Sequence, residues 1–217
     1  MKISVIICCY NYGRYLARAI RSVIDQSLSS KHYEIIVVND GSGDETDQIM
    51  ETFSNYIIPI KLNENVGLAK ARNIGIRKSL GQYVINLDAD DYFDNNILKI
   101  LSLFLGYNID WDAVSCDYFT VDFKEKHIGR KNGEKYPIAC GIMFRKELLV
   151  DIGLYDESFK AREEEDLRKR FLSKYKINNI ELPLYRYHLH DENMTGNLDL
   201  MNKYKKKFDK KHGLEQQ

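Results

Sequence analysis

The stretch of the sequence that most suggests chemistry is Asp88-Ala89-Asp90-Asp91, a run of carboxylates that follows an apolar segment. Side chains two positions apart on an extended segment point to the same side, so Asp88 and Asp90 can act together. Paired carboxylates are typical ligands of a hard divalent cation such as Mg²⁺ or Mn²⁺. With such a cation the loop could bind phosphate, which carboxylates alone would repel. The competing interpretation is an ordinary aspartate-rich loop or a helix cap before Ile97.

A second acidic run, Glu163-Glu164-Glu165-Asp166, comes at the start of a predicted helix. A carboxylate there can serve as a general base, or it can simply stabilise the positive end of the helix dipole. Glu164 lies three residues before Leu167, which the helical pattern buries, so its side chain should lean inward. Glu165 and Arg168 should face solvent.

The composition excludes several classes of protein. The chain has 217 residues, enough for one domain, and its 32 Lys and Arg balance 32 Asp and Glu. This neutrality argues against a nucleic-acid-binding protein, whose surface is usually basic. The charges are nevertheless segregated. Residues 33–60 hold six acids and residues 82–98 hold four, both without Lys or Arg, while residues 203–211 hold six lysines.

The four cysteines, Cys8, Cys9, Cys116 and Cys140, have no spacing typical of a zinc site, so we expect buried reduced thiols. The apolar run at residues 3–10 is too short to span a membrane and lacks a signal-peptide cleavage pattern. It is better explained as a first buried strand. These features together favour a cytoplasmic protein.

The elements that must position the acidic runs are short apolar strands that alternate with helices. The pattern predicts strands over residues 3–10, 34–39, 57–62 and 83–87. It also predicts three helices: one over 15–26, one that begins after a cap at Ser42 or Asp44, and one over 68–80. Strands that are apolar throughout and separated by helices indicate a parallel sheet with helices on both faces. In such sheets ligands bind beyond the carboxyl ends of the strands. Here those ends carry residues 10–11, 39–42, 65–67 and 88–91.

Beyond Asp94 the pattern is weaker. It predicts a helix over 97–105, a strand over 113–123, a mobile loop or hairpin over 124–137, a return to the sheet over 139–144, a helix over 163–175, a strand over 184–188 and a lysine-rich C-terminal helix. Asp110-Trp111-Asp112 repeats the D-x-D spacing but precedes its strand, at the wrong end of the sheet. We interpret it as loop polarity.

Two common nucleotide sites do not occur in the sequence. The first strand is followed by Asn11-Tyr12-Gly13-Arg14 rather than by G-x-G-x-x-G, and Gly41-Ser42-Gly43 has Thr46 where a third glycine would stand. No G-x-x-x-x-G-K-[ST] is present either. Neither a dinucleotide site nor a P-loop is therefore expected.

Four segments, in order along the chain, resemble the family 2 glycosyltransferases of GT-A fold. They are Tyr10-Asn11, the loop 39–42 with Asp40, the stretch 65–75 with Arg72, and the run 87–91. A single D-x-D is weak support, whereas four ordered motifs at predicted strand ends are specific. The resemblance extends to about residue 195. It implies an α/β fold with a Rossmann-like, mostly parallel central sheet, helices on both faces and a smaller acceptor-side β/α portion.

The same resemblance divides the chain into three parts. Residues 1–111 would be a nucleotide-sugar-binding half, and residues 112–197 an acceptor-binding and catalytic-base half of the same domain. Residues 198–217 would form a basic C-terminal helix or tail. The implied activity is that of a metal-dependent, inverting glycosyltransferase. It would move a sugar from a nucleotide donor, commonly a UDP-sugar, to a hydroxyl of a glycan or lipid-linked saccharide, as in bacterial surface polysaccharide or glycoconjugate synthesis.

Site residues also follow from the resemblance. The nucleotide base would stack on Tyr10 and hydrogen-bond to Asp40, while Asp88 would contact the ribose. The full nucleotide-binding set would be Tyr10, Asn11, Asp40, Gly67, Arg72, Asp88 and Ala89. The metal, Mn²⁺ or Mg²⁺, would be held by Asp90, Asp91 and His190.

For the general base, the resemblance selects the acidic run 163–166. Aligning Asp166-Leu167 with the end of the family's E-D-x-D-L motif puts Glu164 where the family usually has an aspartate. Glu163 and Asp166 are the alternative bases, because the longer glutamate must fit. His190 begins the family spacing H-x-x-N-x-[ST].

Two other functions stay open. A sugar nucleotidyltransferase shares this kind of sheet, although its glycine-rich basic N-terminal loop does not occur here. A non-catalytic nucleotide-sugar-binding module would keep the strand-end motifs and tolerate Glu164 in place of the aspartate. Outside the cleft, the lysines of residues 203–211 could dock on anionic lipid at the inner face of the membrane, or could belong to a solvated helix end.

Overall fold

The computed structural model describes residues 2–190 and 198–214. Its strands are β1 (Ile3–Cys9), β2 (Tyr33–Asn39), β3 (Ile58–Lys61), β4 (Tyr83–Asp88), β5 (Tyr92–Phe93), β6 (Ala113–Val121), β7 (His127–Lys131), β8 (Ile142–Arg145) and β9 (Ile177–His188). Its helices are α1 (Gly13–Ile24), α2 (Thr46–Thr52), α3 (Leu68–Lys78), α4 (Ile97–Tyr107), α5 (Lys146–Asp151), α6 (Glu163–Leu172) and α7 (Leu198–Lys211), with a short 3-10 helix at Ser30–His32.

All nine strands of the described chain belong to one sheet, in the order β3-β2-β1-β4-β8-β6-β9-β5, and β7 also pairs with β6. Strands β1 to β4 form a parallel group. Strand β8 lies antiparallel to β4 and β6, and β9 runs parallel to β6. The second half of the chain thus extends the parallel sheet as a mixed one. The predicted α/β fold is confirmed, with a parallel sheet over β1 to β4 and mixed pairing in the second half.

The sheet buries apolar side chains on both faces, which explains why its strands are apolar throughout. Val5 and Ile7 of β1 pack in the core that contains α1 and α4, whereas Ile6 packs in the core that contains α3 and α6. Full burial of such a side chain contributes about 1.5–3 kcal/mol. The adjacent Cys8 and Cys9 turn to these opposite faces. All four cysteines are free thiols, as predicted, with Cys8 half-buried and the others buried.

Helix α3 connects the two halves of the chain. Asn73 Nδ2 donates to the backbone carbonyl of Tyr155 (2.9 Å), and its Oδ1 accepts from the Tyr155 N–H (3.0 Å). Two residues later, a Cβ at Gly75 would lie 2.6 Å from a methyl group of Ile6. Only glycine allows α3 to approach β1 this closely. The stretch 65–75 therefore sets the distance between α3 and the sheet. Through Asn73 it also holds in place the segment around Tyr155, which precedes α6.

Several elements differ from the prediction. The strand expected at 184–188 is the end of the longer β9, and helix α6 ends three residues earlier than expected. The predicted loop or hairpin at 124–137 is a hairpin, because β7 pairs antiparallel with β6. Strand β5 and helix α5 were not predicted. Both are short, so neither provides a periodic pattern long enough to recognise.

Helix α7 packs on the body of the fold through Tyr204, which is 8% exposed. Lys207 Nζ donates to the backbone carbonyl of Ser158 (2.6 Å), and Lys211 Nζ pairs with Asp156 (2.7 Å). Two of the C-terminal lysines therefore hold α7 in place, and contact of the others with lipid stays a prediction. Within the described residues, no helix is both long enough and apolar enough to cross a membrane.

Candidate active site

A cleft of about 520 Å³ opens at the carboxyl ends of β1, β2 and β4, where the sequence predicts a ligand site. Both halves of the chain contribute its walls. The strand-end side carries Tyr10, Asp40, Gly67, Arg72, Asp88, Ala89, Asp90 and Asp91, and the facing side carries residues 137–139, Glu163, Glu164, Leu200 and Met201. Of the predicted site residues, Asn11, Asp166 and His190 do not line this cleft.

Asp40 ties the end of β2 to the loop before α3. Asp40 is 3% exposed, and its carboxylate accepts hydrogen bonds from the N–H groups of Val66 (2.8 Å) and Gly67 (3.0 Å) and from Asn65 Nδ2 (3.1 Å). Burial raises the pKa of Asp40, and the two backbone donors partly oppose this shift. A carboxylate offers about four acceptor positions, so one stays available to a donor in the cleft. Gly67 adopts φ 91°, which glycine tolerates without strain.

Tyr10 and Asn11 form the rim of the cleft after β1. The Tyr10 side chain is 46% exposed and can offer its ring to a planar ligand. Asn11 adopts φ 56°, a left-handed conformation that asparagine tolerates. Its Oδ1 accepts from the Gly43 N–H (2.8 Å), and its own N–H donates to Ser42 Oγ (3.0 Å). Asn11 therefore shapes the loop beneath Tyr10.

Arg72 connects the two walls of the cleft. Its side chain is 2% exposed, and Nη2 donates to Asp88 Oδ1 (2.7 Å) while Nη1 donates to Glu163 Oε1 (2.8 Å). Burial alone would lower the pKa of Arg72, but Asp88 and its other neighbours raise it well above the ordinary value. A buried cation needs such partners. The guanidinium of Arg72 is thus ion-paired with these two carboxylates. Direct contact of Arg72 with a nucleotide stays a prediction.

Asp90 and His190 meet beside the cleft, with 2.8 Å between Asp90 Oδ2 and His190 Nε2. The rings of Tyr12 and Tyr15 pack against the imidazole, with centroid distances of 5.7 and 4.9 Å. Burial, followed by the charge of Asp88, raises the pKa of Asp90. The sequence separates these two groups by 100 residues, and the fold brings them together.

This pair suits a divalent cation with few protein ligands. Mg²⁺ typically binds through one or two carboxylates and takes its other ligands from phosphate and water. In the described part of the chain, no cluster of three or more His, Cys, Asp or Glu could hold a metal by itself. The donor set of Asp90 and His190 therefore fits a metal that is shared with a bound diphosphate.

Asp91, the third predicted metal ligand, faces the scaffold. It is 2% exposed, its Oδ1 accepts from the His188 N–H (2.7 Å), and its Oδ2 accepts from the Tyr185 hydroxyl (2.6 Å). Both carboxylate oxygens thus hold the acidic loop against β9. This contact places Asp90, one residue earlier, at the cleft.

Glu164 faces the cleft from the first turn of α6. The preceding Arg162 adopts a left-handed φ of 61°, which sets the direction in which the helix begins. Within the described residues, no other side chain hydrogen-bonds or ion-pairs with the Glu164 carboxylate. Burial and the neighbouring charge of Glu163 raise the pKa of Glu164 to about 7. A carboxylate with a pKa near neutrality in a cleft is suited to general-base chemistry.

The two alternative bases have other partners. Glu163 is 3% exposed and is held by Arg72. Asp166 is fully buried and accepts from Arg170 Nε (2.8 Å), while Lys211 Nζ lies 2.6 Å from its carboxylate. Burial opposes ionisation of Asp166, but these cations hold its pKa below the ordinary value. Asp166 therefore joins α6 to α7, and Glu164 is the candidate whose carboxylate is open to a substrate.

The expectation that Arg168 faces solvent is wrong. Its guanidinium is half-buried, and Nη2 donates to the backbone carbonyl of Ile138 (2.8 Å). Burial lowers the pKa of Arg168. The helical pattern of α6 could not reveal this contact, because residues 137–139 pack over the helix from a distant part of the chain. Glu165 does reach the surface, where it pairs with Arg162.

Several residues at the site were missed from the sequence. Tyr12 and Tyr15 are three residues apart at the start of α1, directly after β1, and this spacing on one helix face is a signal that could have located them. Residues 137–139, Leu200 and Met201 reach the cleft only through tertiary packing. No local pattern marks them.

Two remaining motifs have separate outcomes. Asp112 Oδ2 accepts from the Lys176 N–H (2.9 Å) where β6 begins, at the opposite end of the sheet from the cleft. The interpretation of the second D-x-D as loop polarity is confirmed. The remainder of the H-x-x-N-x-[ST] spacing, with Asn193 and Thr195, lies outside the described residues.

Together, the sheet topology and the strand-end cleft define an α/β protein of the GT-A class. The model of the family described as "Glycosyl transferase family 2" matches residues 4–171. The chain belongs to this family. Membership argues against the sugar nucleotidyltransferase alternative.

Known proteins are similar to the chain in sequence and in fold. An uncharacterized glycosyltransferase of Rickettsia typhi is 31% identical over 211 residues, which cover 89% of this chain and 65% of that protein. The chain therefore spans less than two thirds of that relative. The structure of S. aureus TarS 1–349 in complex with UDP-GlcNAc superposes with a TM-score of 0.79 at 23% identity, covering 91% of this chain and 61% of that one.

A second solved structure has the same fold. The mannosyltransferase PcManGT from Pyrobaculum calidifontis, in complex with GDP-Man and Mn²⁺, superposes with a TM-score of 0.71 at 18% identity. The superposition covers 88% of this chain and 58% of that one. At these identities the two similarities establish the fold.

Proposed function

We propose that the chain is a metal-dependent, inverting glycosyltransferase that uses a UDP-sugar and has Glu164 as its general base. One observation carries the proposal. The Glu164 carboxylate, which has no side-chain partner among the described residues, faces the same cleft as Asp88 and Asp90. A proton acceptor thus stands opposite the place where an anionic leaving group would lie. This placement also argues against a non-catalytic binding module.

The donor would lie along the strand ends. The exposed ring of Tyr10 would stack on the uracil, and the free acceptor position on Asp40 would take the uracil N–H. Asp88, whose side chain is 31% exposed, would accept from a ribose hydroxyl. Gly67 leaves open space above its Cα, so the nucleotide could approach the backbone closely. TarS, whose structure contains UDP-GlcNAc, supports UDP as the nucleotide.

Asp90 and His190 would hold Mn²⁺ or Mg²⁺ against the diphosphate. Bound there, the cation would stabilise the negative charge that develops on the leaving diphosphate. It would also offset the repulsion between phosphate and the carboxylates of Asp88 and Asp90. PcManGT, whose structure contains Mn²⁺, supports this assignment.

The reaction would be a single displacement. As the oxygen of the acceptor hydroxyl bonds to the anomeric carbon, its proton passes to Glu164. The bond from the anomeric carbon to the diphosphate oxygen breaks on the opposite face, and its electron pair leaves with UDP. Arg72 would position Glu163, and with it the first turn of α6, relative to Asp88.

The acceptor would be a glycan or lipid-linked saccharide of bacterial surface polysaccharide or glycoconjugate synthesis, modified on the cytoplasmic side of the membrane. Residues 137–139 and the start of α6 form the wall that faces the donor side. This position supports the assignment of residues 112–197 to acceptor binding and base catalysis.

The test begins with donor binding. Thermal-shift measurements with Mn²⁺ and a panel of nucleotide sugars should identify the donor, because a ligand that binds only the folded chain raises its Tm. Proton NMR then follows turnover of that donor by water. An α-linked UDP-sugar should release the β-configured sugar before mutarotation. Release of the α-configured sugar, or binding without turnover, would contradict the proposal.

A further inference from the structure

We infer that Arg18 of α1 is a positioning residue for the proposed metal site, because it holds the backbone of Asp90 in place. The inference rests on the proposed function, since it takes Asp90 as a metal ligand. Arg18 is not among the residues that line the cleft, so it would act on the metal through Asp90.

The peptide group between Asp90 and Asp91 is held by both of its polar atoms. Its N–H, which belongs to Asp91, donates to the backbone carbonyl of Asp88 (3.1 Å) and closes a tight turn after β4. Its carbonyl oxygen, which belongs to Asp90, accepts from Arg18 Nη2. A peptide group is planar, so these two bonds together fix the orientation of the plane. The direction in which the Asp90 side chain leaves the backbone therefore depends on Arg18.

The turn has one further anchor, on its other residue. The carboxylate of Asp91 is held against β9 by the Tyr185 hydroxyl and the His188 N–H. Without the bond from Arg18, this contact would still hold Asp91 but would leave the Asp90 carbonyl free to rotate. Arg18 thus restrains the residue of the turn whose carboxylate reaches the cleft.

The guanidinium of Arg18 is itself held in one orientation. Its central carbon lies 4.7 Å from the centroid of the Tyr92 ring, and Nη1 donates to Glu125 Oε1 (3.2 Å) in the turn between β6 and β7. The side chain is 25% exposed. A planar guanidinium can stack on a ring and donate to two acceptors at once, which an ammonium group does less well. Arg18 is therefore a fixed donor to Asp90.

Arg18 also borders the support of the second proposed metal ligand. Its guanidinium carbon lies 5.9 Å from the centroid of the Tyr15 ring, and this ring packs on the imidazole of His190 at 4.9 Å. The groups that flank Asp90 and His190 on the side of α1 are thus in contact with one another.

The orientation of Asp90 matters because the metal is demanding. Mg²⁺ requires near-ideal octahedral geometry, so a small rotation of a ligating carboxylate weakens binding. Groups that orient a metal ligand without touching the metal typically change metal affinity by about 10–100-fold. The charge of Arg18 has the opposite effect. By charge alone, removal of a cation would favour a nearby Mn²⁺ ion, so the sign of the change separates positioning from electrostatics.

The test measures how much Mn²⁺ strengthens the binding of UDP. The full chain is titrated with UDP in a calorimeter, once with saturating Mn²⁺ and once with EDTA, and the ratio of the two affinities is the Mn²⁺ enhancement. Arg18→Met keeps an apolar stem against Tyr92 but removes the donor. We expect this variant to lower the Mn²⁺ enhancement by about tenfold. Arg18→Gln, whose side chain is shorter, should lower it similarly and provides a second measurement if Arg18→Met folds poorly.

Two further variants assign the effect to the bond with Asp90. Arg18→Lys should retain part of the Mn²⁺ enhancement, because an ammonium group can still donate to a carbonyl. Arg21→Met is the matched control on the same helix. Arg21 is exposed and lies over the ring of Phe53 (5.5 Å), so its substitution should leave the enhancement unchanged.

The results separate this inference from the proposed function. An unchanged or larger Mn²⁺ enhancement in the folded Arg18 variants, with the enhancement lost in Asp90→Asn, would overturn the inference alone. An equal loss in Arg18→Met and Arg21→Met would overturn it as well. If Mn²⁺ did not strengthen UDP binding to the wild-type chain, the proposed metal site would fail, and the role of Arg18 would fail with it.

Discussion

The guanidinium of Arg72 lies between Asp88 and Glu163, with N–O distances of 2.7 and 2.8 Å. Asp88 belongs to the acidic loop on the donor side, and Glu163 directly precedes the proposed base. Glu163 is 91 residues from Arg72 along the chain. One buried cation therefore sets the distance between the two sides of the site.

Arg72→Gln should destabilise the fold strongly, because it leaves two carboxylates without their buried cation. We expect the free energy of unfolding to fall by about 3–5 kcal/mol. Urea denaturation followed by circular dichroism measures this change. Arg77→Gln is the matched control on the same helix. Its partner Glu157 and Arg77 itself are 36% and 59% exposed, so the loss should stay below about 1 kcal/mol. Equal losses in the two variants would argue against the bridging role of Arg72.

Asp90→Asn should weaken nucleotide binding only when the metal is present. In Mn²⁺ the affinity for UDP should fall by about tenfold, which corresponds to the loss of one good metal or hydrogen-bond contact. With EDTA the variant should bind UDP at least as tightly as the wild-type chain, because the substitution removes a carboxylate that repels the diphosphate. Asp110→Asn changes the other D-x-D motif and should have no effect in either condition. If calorimetry gave the same Mn²⁺ dependence for Asp90→Asn and the wild-type chain, Asp90 would not be a metal ligand.

The pH dependence of kcat/KM should report the ionisation of Glu164. A general base acts in its deprotonated form, and the pKa of Glu164 is raised to about 7. We therefore expect kcat/KM to be constant above this pH and to fall about tenfold for each pH unit below it. An ordinary glutamate would keep the rate constant down to a pH of about 4.3. A flat profile between pH 5 and 7, as rough limits, would contradict the assignment.

Glu163→Gln should shift the acidic limb of the kcat/KM profile, where the rate falls as Glu164 is protonated, to lower pH. The charged groups around Glu164 are Glu163, Glu165 and Arg168 on α6 and Arg72 on α3. The substitution removes a like charge and leaves more of the Arg72 charge to act on Glu164, and both changes lower the pKa of Glu164. Glutamine can still accept the hydrogen bond from Arg72. A limb that stayed in place would show that Glu163 does not raise the pKa.

The local pattern of apolar residues was sufficient to predict the first half of the fold. Strands β1, β2 and β4 are apolar throughout because both of their faces are covered, and Gly81 interrupts the pattern between α3 and β4. The same pattern failed for β9. The part of β9 before Leu184 contains Asn178, Asn179 and Pro183, and the pairing of β9 with β6 shifts register near Asp117. Its strand conformation comes from pairing with β6 and not from its own apolar residues.

The candidate site was predictable where a residue ends a strand. Asp40 and Asp88 were located by this rule, and the structure places them in one cleft. The strand-end rule could not decide whether Glu164 or Asp166 is the general base, since both lie in the first turn of the same helix. Arg170 pairs with Asp166 within α6, but Lys211 reaches the same carboxylate from α7, and that contact depends on how α7 packs.

The role of Glu164 is tested by comparing Glu164→Gln with Glu147→Gln, which changes a glutamate in the first turn of α5. UDP release from the donor is measured at saturating donor and Mn²⁺, and donor binding is measured by thermal shift. We predict that Glu164→Gln lowers turnover by about 10²–10⁴-fold while the donor still raises Tm. Glu147→Gln should turn over donor at the wild-type rate. Turnover near the wild-type rate in Glu164→Gln would show that Glu164 is not the general base.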